Sequence, residues 1–262
     1  MRKVVLRVIL GICIMSVAVF ATLLIRELYI DWQSRSFYDD LATNVETRQR
    51  ELERTDAGDT QPSNQTDQTD DDADPWVPYV NFDGLNQVFP GIVGWIRLDG
   101  TPINYPVMQH TNNDYFLARL PDKTPHRNGS IFLDYRNNSD FSDKSNLVYG
   151  HETRSGDMFA SLKNYRNQEF FNNNPVIYLY TPEKDYEIVL FAGHLAHSIR
   201  NHPPLHFETD GEFLTYVEGL KRISVFNSNV EIKPDDKIVN LVTCAYDFDE
   251  ARLILVGILV EK

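Results

Sequence analysis

The sequence predicts a mainly β protein: an eight-stranded β-barrel with short peripheral helices, preceded by an N-terminal transmembrane helix and a linker. Three observations predict it. Eight short apolar or β-branched segments recur between Trp76 and Lys262, separated by turn residues. Helical patterns in that stretch are few and short. The residues before it divide into an uncharged apolar run and a polar, acidic spacer.

Val8 to Ile25 is eighteen residues without a charge, which as a helix spans about 27 Å, close to the ~30 Å hydrocarbon core of a bilayer. Arg2, Lys3 and Arg7 precede it, whereas Arg26, Glu27 and Asp31 follow. The positive-inside bias therefore predicts a single-pass anchor over residues 1–25 with its N-terminus in the cytoplasm and the rest of the chain outside the cell. A cleaved signal peptide is the competing reading, since Val19-Phe20-Ala21 offers a small residue near the end of the run. The run continues through Thr22 to Ile25, longer than a usual signal core, which favours the uncleaved anchor.

Residues 26–54 hold Leu28, Trp32, Leu41, Val45 and Leu52 among many charges, without Pro or Gly, and read as a helical stalk. Residues 55–75 carry seven acids, no base and almost nothing to bury, the composition of a disordered linker. Those acids make up about half of the formal net charge of -13, so the acidity belongs largely to the spacer. An acidic chain of this kind argues against a nucleic-acid partner.

Residues 76–262 form one domain of 187 residues, ample for its own core. Strands are expected near Gly94–Arg97, Ile103–Met108, Ser130–Tyr135, Asn146–Tyr149, Val176–Thr181, Tyr186–His194, Ile238–Cys244 and Arg252–Val260. Helices are expected at Phe82–Phe89, Asp114–Arg119, Asp157–Tyr165 and, most clearly, Gly211–Ile223.

The last two strands carry the chemistry. If they pair antiparallel, about 4.8 Å apart, Cys244 ends one and Arg252 begins the other, so a thiol and a guanidinium share one rim. A cysteine attacks as thiolate, and an adjacent Arg can stabilise the thiolate or the oxyanion formed after attack. From the hairpin alone a second reading stands: a buried strand-end cysteine and an Arg paired with Asp247, Asp249 or Glu250. Cys13 lies in the apolar run, which leaves Cys244 alone outside the membrane with no disulfide to form. Its place beside a polar loop shifts the balance toward a reactive thiol.

A nucleophilic cysteine needs an imidazole. His151 follows the apolar strand Asn146 to Tyr149 and the turn residue Gly150, so it too stands at a strand end. An exposed turn residue is the alternative. His194 and His197 lie in or just after a strand, and His110, His126, His202 and His206 fall in polar or Pro-rich loops.

At these residues the sequence resembles a family, the sortases, membrane-anchored cysteine transpeptidases of Gram-positive bacteria, and within them class B. Leu241-Val242-Thr243-Cys244 with Arg252 eight residues on is similar to the sortase signature of Leu-x-Thr-Cys followed by Arg. Tyr149-Gly150-His151, followed by Gly156-Asp157-Met158-Phe159, resembles the catalytic-histidine segment. Val80 to Leu85, Val93 to Ile96, Asn113 to Leu117 and Gly129 to Asp134 fit class B as well. The family's frequent Thr four residues before the cysteine is Asn240 here, and Val242 replaces a common Ser, so no oxyanion role passes to the side chain at 242.

The resemblance implies a sortase-type barrel with Cys244, His151 and Arg252 as catalytic residues. The backbone N–H of Ala245 or the Arg252 side chain is the implied oxyanion partner, and Thr243 either orients substrate or only pairs within the sheet. It implies cleavage after Thr of a C-terminal sorting signal, similar to Asn-Pro-x-Thr-Asn, on a surface protein. The acyl group then passes to an amine of the peptidoglycan precursor or cross-bridge. No metal or other cofactor is implied, and the acidic residues form no Ca²⁺ loop. The alternatives are a pilin-polymerising sortase and, in a different class, a tethered binding domain with an inert Cys244.

Overall fold

The structure, a computed structural model, describes residues 2–58, 80–197 and 202–262. Its frame is eight strands: β1 (Ile92–Arg97), β2 (Asn104–Met108), β3 (Ile131–Leu133), β4 (Ser145–Tyr149), β5 (Val176–Tyr180), β6 (Asp185–His197), β7 (Ile238–Cys244) and β8 (Ala251–Glu261). Each expected strand is present, with ends displaced by a few residues. They close into a barrel in the order β1-β2-β3-β4-β7-β8-β6-β5. Two of the pairings, β2 with β3 and β4 with β7, are parallel and the others antiparallel. Closure leaves no free sheet edge, and Trp95, Ile96, Ile131, Leu133 and Phe191 are buried almost completely.

The short helices decorate the barrel: α2 (Phe82–Val88), α3 (Asp114–Leu117), a 3₁₀-helix (Ala160–Arg166), α4 (Gln168–Asn173) and α5 (Asp210–Ile223). In α5, Phe213, Val217 and Leu220 recur at helical spacing and are buried against Ile238 and Val242 of β7 and Ile254 and Val256 of β8. Such burial is worth about 2 kcal/mol per side chain. Thr209 caps this helix by accepting from Glu212 N at 3.1 Å. The expected helix at Asp157–Tyr165 begins later and is 3₁₀, because Met158 sits at φ 56°, where a right-handed helix cannot start. Helix α4 was not expected; Asn167 starts it by accepting from Glu169 N and Phe170 N.

Ahead of the barrel, α1 runs unbroken from Arg2 to Gly58, across the anchor and stalk segments and into the first residues of the stretch expected to be linker. The remainder of that stretch, with Trp76 to Tyr79, lies outside the described residues. The chain divides into two compact units, Met1–Asp40 and Leu41–Lys262. Among the described residues α1 is the one helix long and apolar enough to cross a membrane, a property that an anchor and a signal sequence share.

One buried group makes barrel stability depend on pH. His194, on β6, is 6% exposed and its Nδ1 has no partner among the described residues. Burial holds its pKa down from 6.5 to about 4. A depressed histidine favours the fold in its neutral form, so its contribution is complete above about pH 6.5 and is lost as pH falls toward 4. Denaturant titration is expected to show stability falling by up to about 3 kcal/mol across that window, with a flatter profile in His194→Phe.

Candidate active site

Two strand neighbours of β7 bring the candidate residues together. On one side β8 pairs antiparallel with it, Val242 opposite Ile254 and Cys244 opposite Arg252. Side chains alternate along a strand, so Cys244 and Arg252 continue the row of Val242, Ile254 and Val256, which lies under α5. The thiol and guanidinium therefore stand where this apolar row reaches the rim.

On the other side β4 runs parallel to β7, with Tyr149 beside Val242, and Gly150 N donates to Val242 O at 3.0 Å. His151 therefore leaves the sheet at the same rim as Cys244. Only glycine fits at 150: a Cβ there would lie 2.4 Å from Ile131 Cδ1 and 2.6 Å from Phe159 Cδ2. The chain then loops back, pairing Glu152 with Met158, and Phe159 N donates to the His151 carbonyl at 2.9 Å.

The imidazole is anchored as well. His151 Nε2 lies 2.7 Å from the carbonyl oxygen of Leu117, at the end of α3. A carbonyl only accepts, so Nε2 carries the hydrogen, and Nδ1 is the nitrogen that can exchange a proton without breaking this bond.

Cys244, His151, Arg252 and Thr243 all line one cleft of about 270 Å³, with Asn113, Leu117 and Tyr149 among its other walls. Arg252 is held loosely. Its Nη1 donates to the Ala251 carbonyl at 2.9 Å and its Nη2 lies 3.6 Å from Glu250, leaving further guanidinium donors for a ligand. Asp247, considered above as an alternative partner for Arg252, instead pairs with Arg166 through two contacts of 2.8 and 2.6 Å.

The two remaining candidates part company. Thr243 is 3% exposed and its Oγ1 is buried with no hydrogen-bond partner among the described residues, its side chain pointing to the face of β7 opposite Cys244. The Ala245 N–H, expected as an oxyanion donor, donates instead to the Ala251 carbonyl at 3.0 Å and closes the base of the β7–β8 loop. Asn240, the departure from the family pattern, is buried and donates to Ser145 Oγ at 3.0 Å and to Asn146 O at 3.3 Å, joining β7 to β4.

A polar network that sequence reasoning did not single out braces the far wall. Asp134 accepts from Arg136 Nε and Nη2 at 2.8 Å each, from Asn113 Nδ2 at 3.0 Å and from Tyr149 OH at 3.1 Å. Burial alone raises the Asp134 pKa, but the hydrogen bonds from Arg136 and Asn113 outweigh it and bring the carboxyl to about 2. Asn113 and Tyr149 are thereby fixed where they line the cleft. The sequence signal was an Asp and an Arg two residues apart just past a strand end. Among the described residues no group of three or more His, Cys, Asp or Glu side chains is placed to hold a metal ion.

The arrangement supports covalent acyl transfer: a thiol, an imidazole with one nitrogen free for proton exchange, and a cation at the rim. Comparison with known proteins points the same way. The chain is 33% identical over 180 residues to Sortase B of Listeria monocytogenes, covering 68% of this chain and 73% of the relative. It superposes on the Staphylococcus aureus sortase B–substrate complex with a TM-score of 0.73 and 27% identity, over 88% of this chain and 98% of that one. A structure of Sortase B complexed with triglycine matches with a TM-score of 0.73 and 27% identity, over 88% and 99% of the two chains. No family model matches the sequence.

Proposed function

The chain belongs to the sortase B family of cysteine transpeptidases, and from that premise we propose that it cleaves a C-terminal sorting signal after Thr and joins the released surface protein to a peptidoglycan amine. The observation that carries the reading is the register of β7 and β8, which sets Cys244 opposite Arg252 in a cleft that His151 also lines.

The chemistry follows in two steps. Cys244 Sγ, its proton passed to His151, attacks the carbonyl carbon of the Thr residue; the C–S bond forms and the carbonyl electrons move to oxygen. Arg252 faces that oxyanion with a directed N–H. Collapse breaks the peptide C–N bond, and His151 returns the proton to the leaving amine. An incoming amine then attacks the thioester. The new C–N bond forms, the C–S bond breaks, the amine's proton passes to His151, and the thiolate is regenerated. The apolar part of α1 serves as a single-pass anchor with the barrel outside the cell, consistent with the basic residues Arg2, Lys3 and Arg7 before it. A sorting-signal peptide as acyl donor and a glycine amine as acceptor are in keeping with the substrate complex and the triglycine complex among the related structures.

The test separates transfer from hydrolysis. The full chain in detergent micelles is expected to cleave Asn-Pro-x-Thr-Asn peptides slowly in buffer alone, and to yield a Thr–amide product by mass spectrometry when a glycine- or diaminopimelate-containing stem peptide is added. Rapid hydrolysis with no amide for any amine indicates a protease instead.

A further inference from the structure

The Tyr149 hydroxyl sits between two ionisable groups. It lies 3.1 Å from Asp134 Oδ2 on one side and 2.9 Å from His202 Nε2 on the other. The His202 ring in turn brings Nδ1 to 3.0 Å from the Pro203 carbonyl oxygen. Three contacts in series thus join the far wall of the cleft to the segment that leads into α5.

Each contact needs one hydrogen, and counting them fixes the charge. The Pro203 carbonyl only accepts, and so does an ionised carboxylate. Asp134, with its pKa at about 2, stays ionised. Burial, and then the charge of Asp134, push the Tyr149 pKa upward, so the phenol keeps its hydrogen. Tyrosine supplies one hydrogen, a neutral imidazole one and an imidazolium two. All three contacts are therefore met only when His202 is charged. With the neutral ring, in either tautomer, two lone pairs face each other across one of them.

The place of this series in the fold gives it a consequence. Tyr149, Val242 and Arg252 line both the cleft and a small hollow of about 50 Å³ that His202 and Pro203 close from the other side. The Tyr149 ring also stacks on Phe132, a further cleft wall, at 5.3 Å. Resting on the transpeptidase reading, we infer that His202 is a positioning residue for the donor peptide: charged, it latches the segment before α5 onto Tyr149 and fixes the cleft wall, and neutral, it gives up one contact of the latch. The other charged groups around it are Asp134 and Arg136, reached through Tyr149, and Arg252 of β8; β6 and β7 present Ala196 and Val242 to the hollow. Arg252 opposes a charge on His202 and Asp134 favours it, while the hydrogen count requires it. A contact made by the charged ring is present at low pH and lost as pH rises through the imidazole range.

Binding of an Asn-Pro-Gln-Thr-Asn peptide to the full chain in detergent micelles tests the inference, in a Cys244→Ala, His151→Gln background that removes the thiol and the imidazole of the cleft. The dissociation constant is expected to rise about threefold to tenfold between about pH 5.5 and about pH 8, the cost of one hydrogen bond. His202→Gln, whose amide N–H donates to Tyr149 without titrating, is expected to hold the tighter affinity at both pH values. His202→Leu, with no donor, is expected to show the weaker affinity at both. A slope that survives either substitution, or no slope in the background chain, would overturn the latch. Amide hydrogen exchange of residues 205–209, corrected for its intrinsic pH dependence, reads the same latch with no peptide present. Protection is expected to be greater at the lower pH in the native chain and equal at both in His202→Gln; equal protection in the native chain would also overturn it. If no chain binds the peptide and the native chain forms no thioacyl adduct, the transpeptidase reading fails instead, and the exchange result alone decides the latch.

Discussion

Cys244→Ala is expected to yield no thioacyl adduct and no cleavage of a sorting peptide by the full chain, because the one other cysteine of the sequence, Cys13, belongs to the apolar run of α1 and not to the barrel. Loss of the nucleophile removes the covalent path altogether. His151→Ala keeps the thiol and removes the proton shuttle, so kcat/KM for cleavage is expected to fall by roughly 10² to 10⁴. Mass spectrometry of protein incubated with peptide reads the adduct, and single-turnover kinetics read the rate. Persistence of cleavage in Cys244→Ala would place the chemistry elsewhere. The packing makes these tests clean: Cys244 is only partly buried at the end of its strand, so its truncation leaves no sizeable core cavity.

Arg252→Lys is expected to lower kcat/KM for cleavage by roughly 10² to 10³, the usual cost of losing one aligned oxyanion donor. Lysine preserves the charge but replaces a planar fork of N–H groups by a freely rotating ammonium. The position tolerates the change structurally, since Arg252 is part-exposed and its contacts are one backbone carbonyl and a 3.6 Å pair with Glu250. The fall is expected in kcat more than in KM, because the contact forms only as the oxyanion does. A rate within about threefold of native would assign Arg252 to charge compensation alone.

Much of this was legible before any coordinates. Short apolar or β-branched runs located all eight strands, since a strand buried on one face leaves an alternating pattern and one buried on both an unbroken apolar run. Helix α5 was legible for the same reason at a period of 3.6. Two details were not: α4, which depends on a single Asn167 cap, and the start and type of the 3₁₀-helix, set by the left-handed backbone at Met158. Neither carries enough residues for a periodic signal.

What the sequence by itself determined is the local chemistry: a lone thiol beyond the apolar run, an arginine eight residues on across a short loop, and a histidine after Gly150, each at a strand end. A hairpin is a local structure, so its pairing of Cys244 with Arg252 could be foreseen from loop length and pattern. What only the tertiary structure decided is non-local. The parallel pairing of β4 with β7 joins segments some ninety residues apart, as Asn146 and Val239 show, and nothing in either strand encodes that partner until the barrel closes. The same holds for Leu117 on the His151 ring, for Asp134 bracing Tyr149 and Asn113, and for Asp247 choosing Arg166 over Arg252. Charge pairs and hydrogen bonds are short-ranged and indifferent to sequence separation, so their partners are set by the packing of the whole barrel.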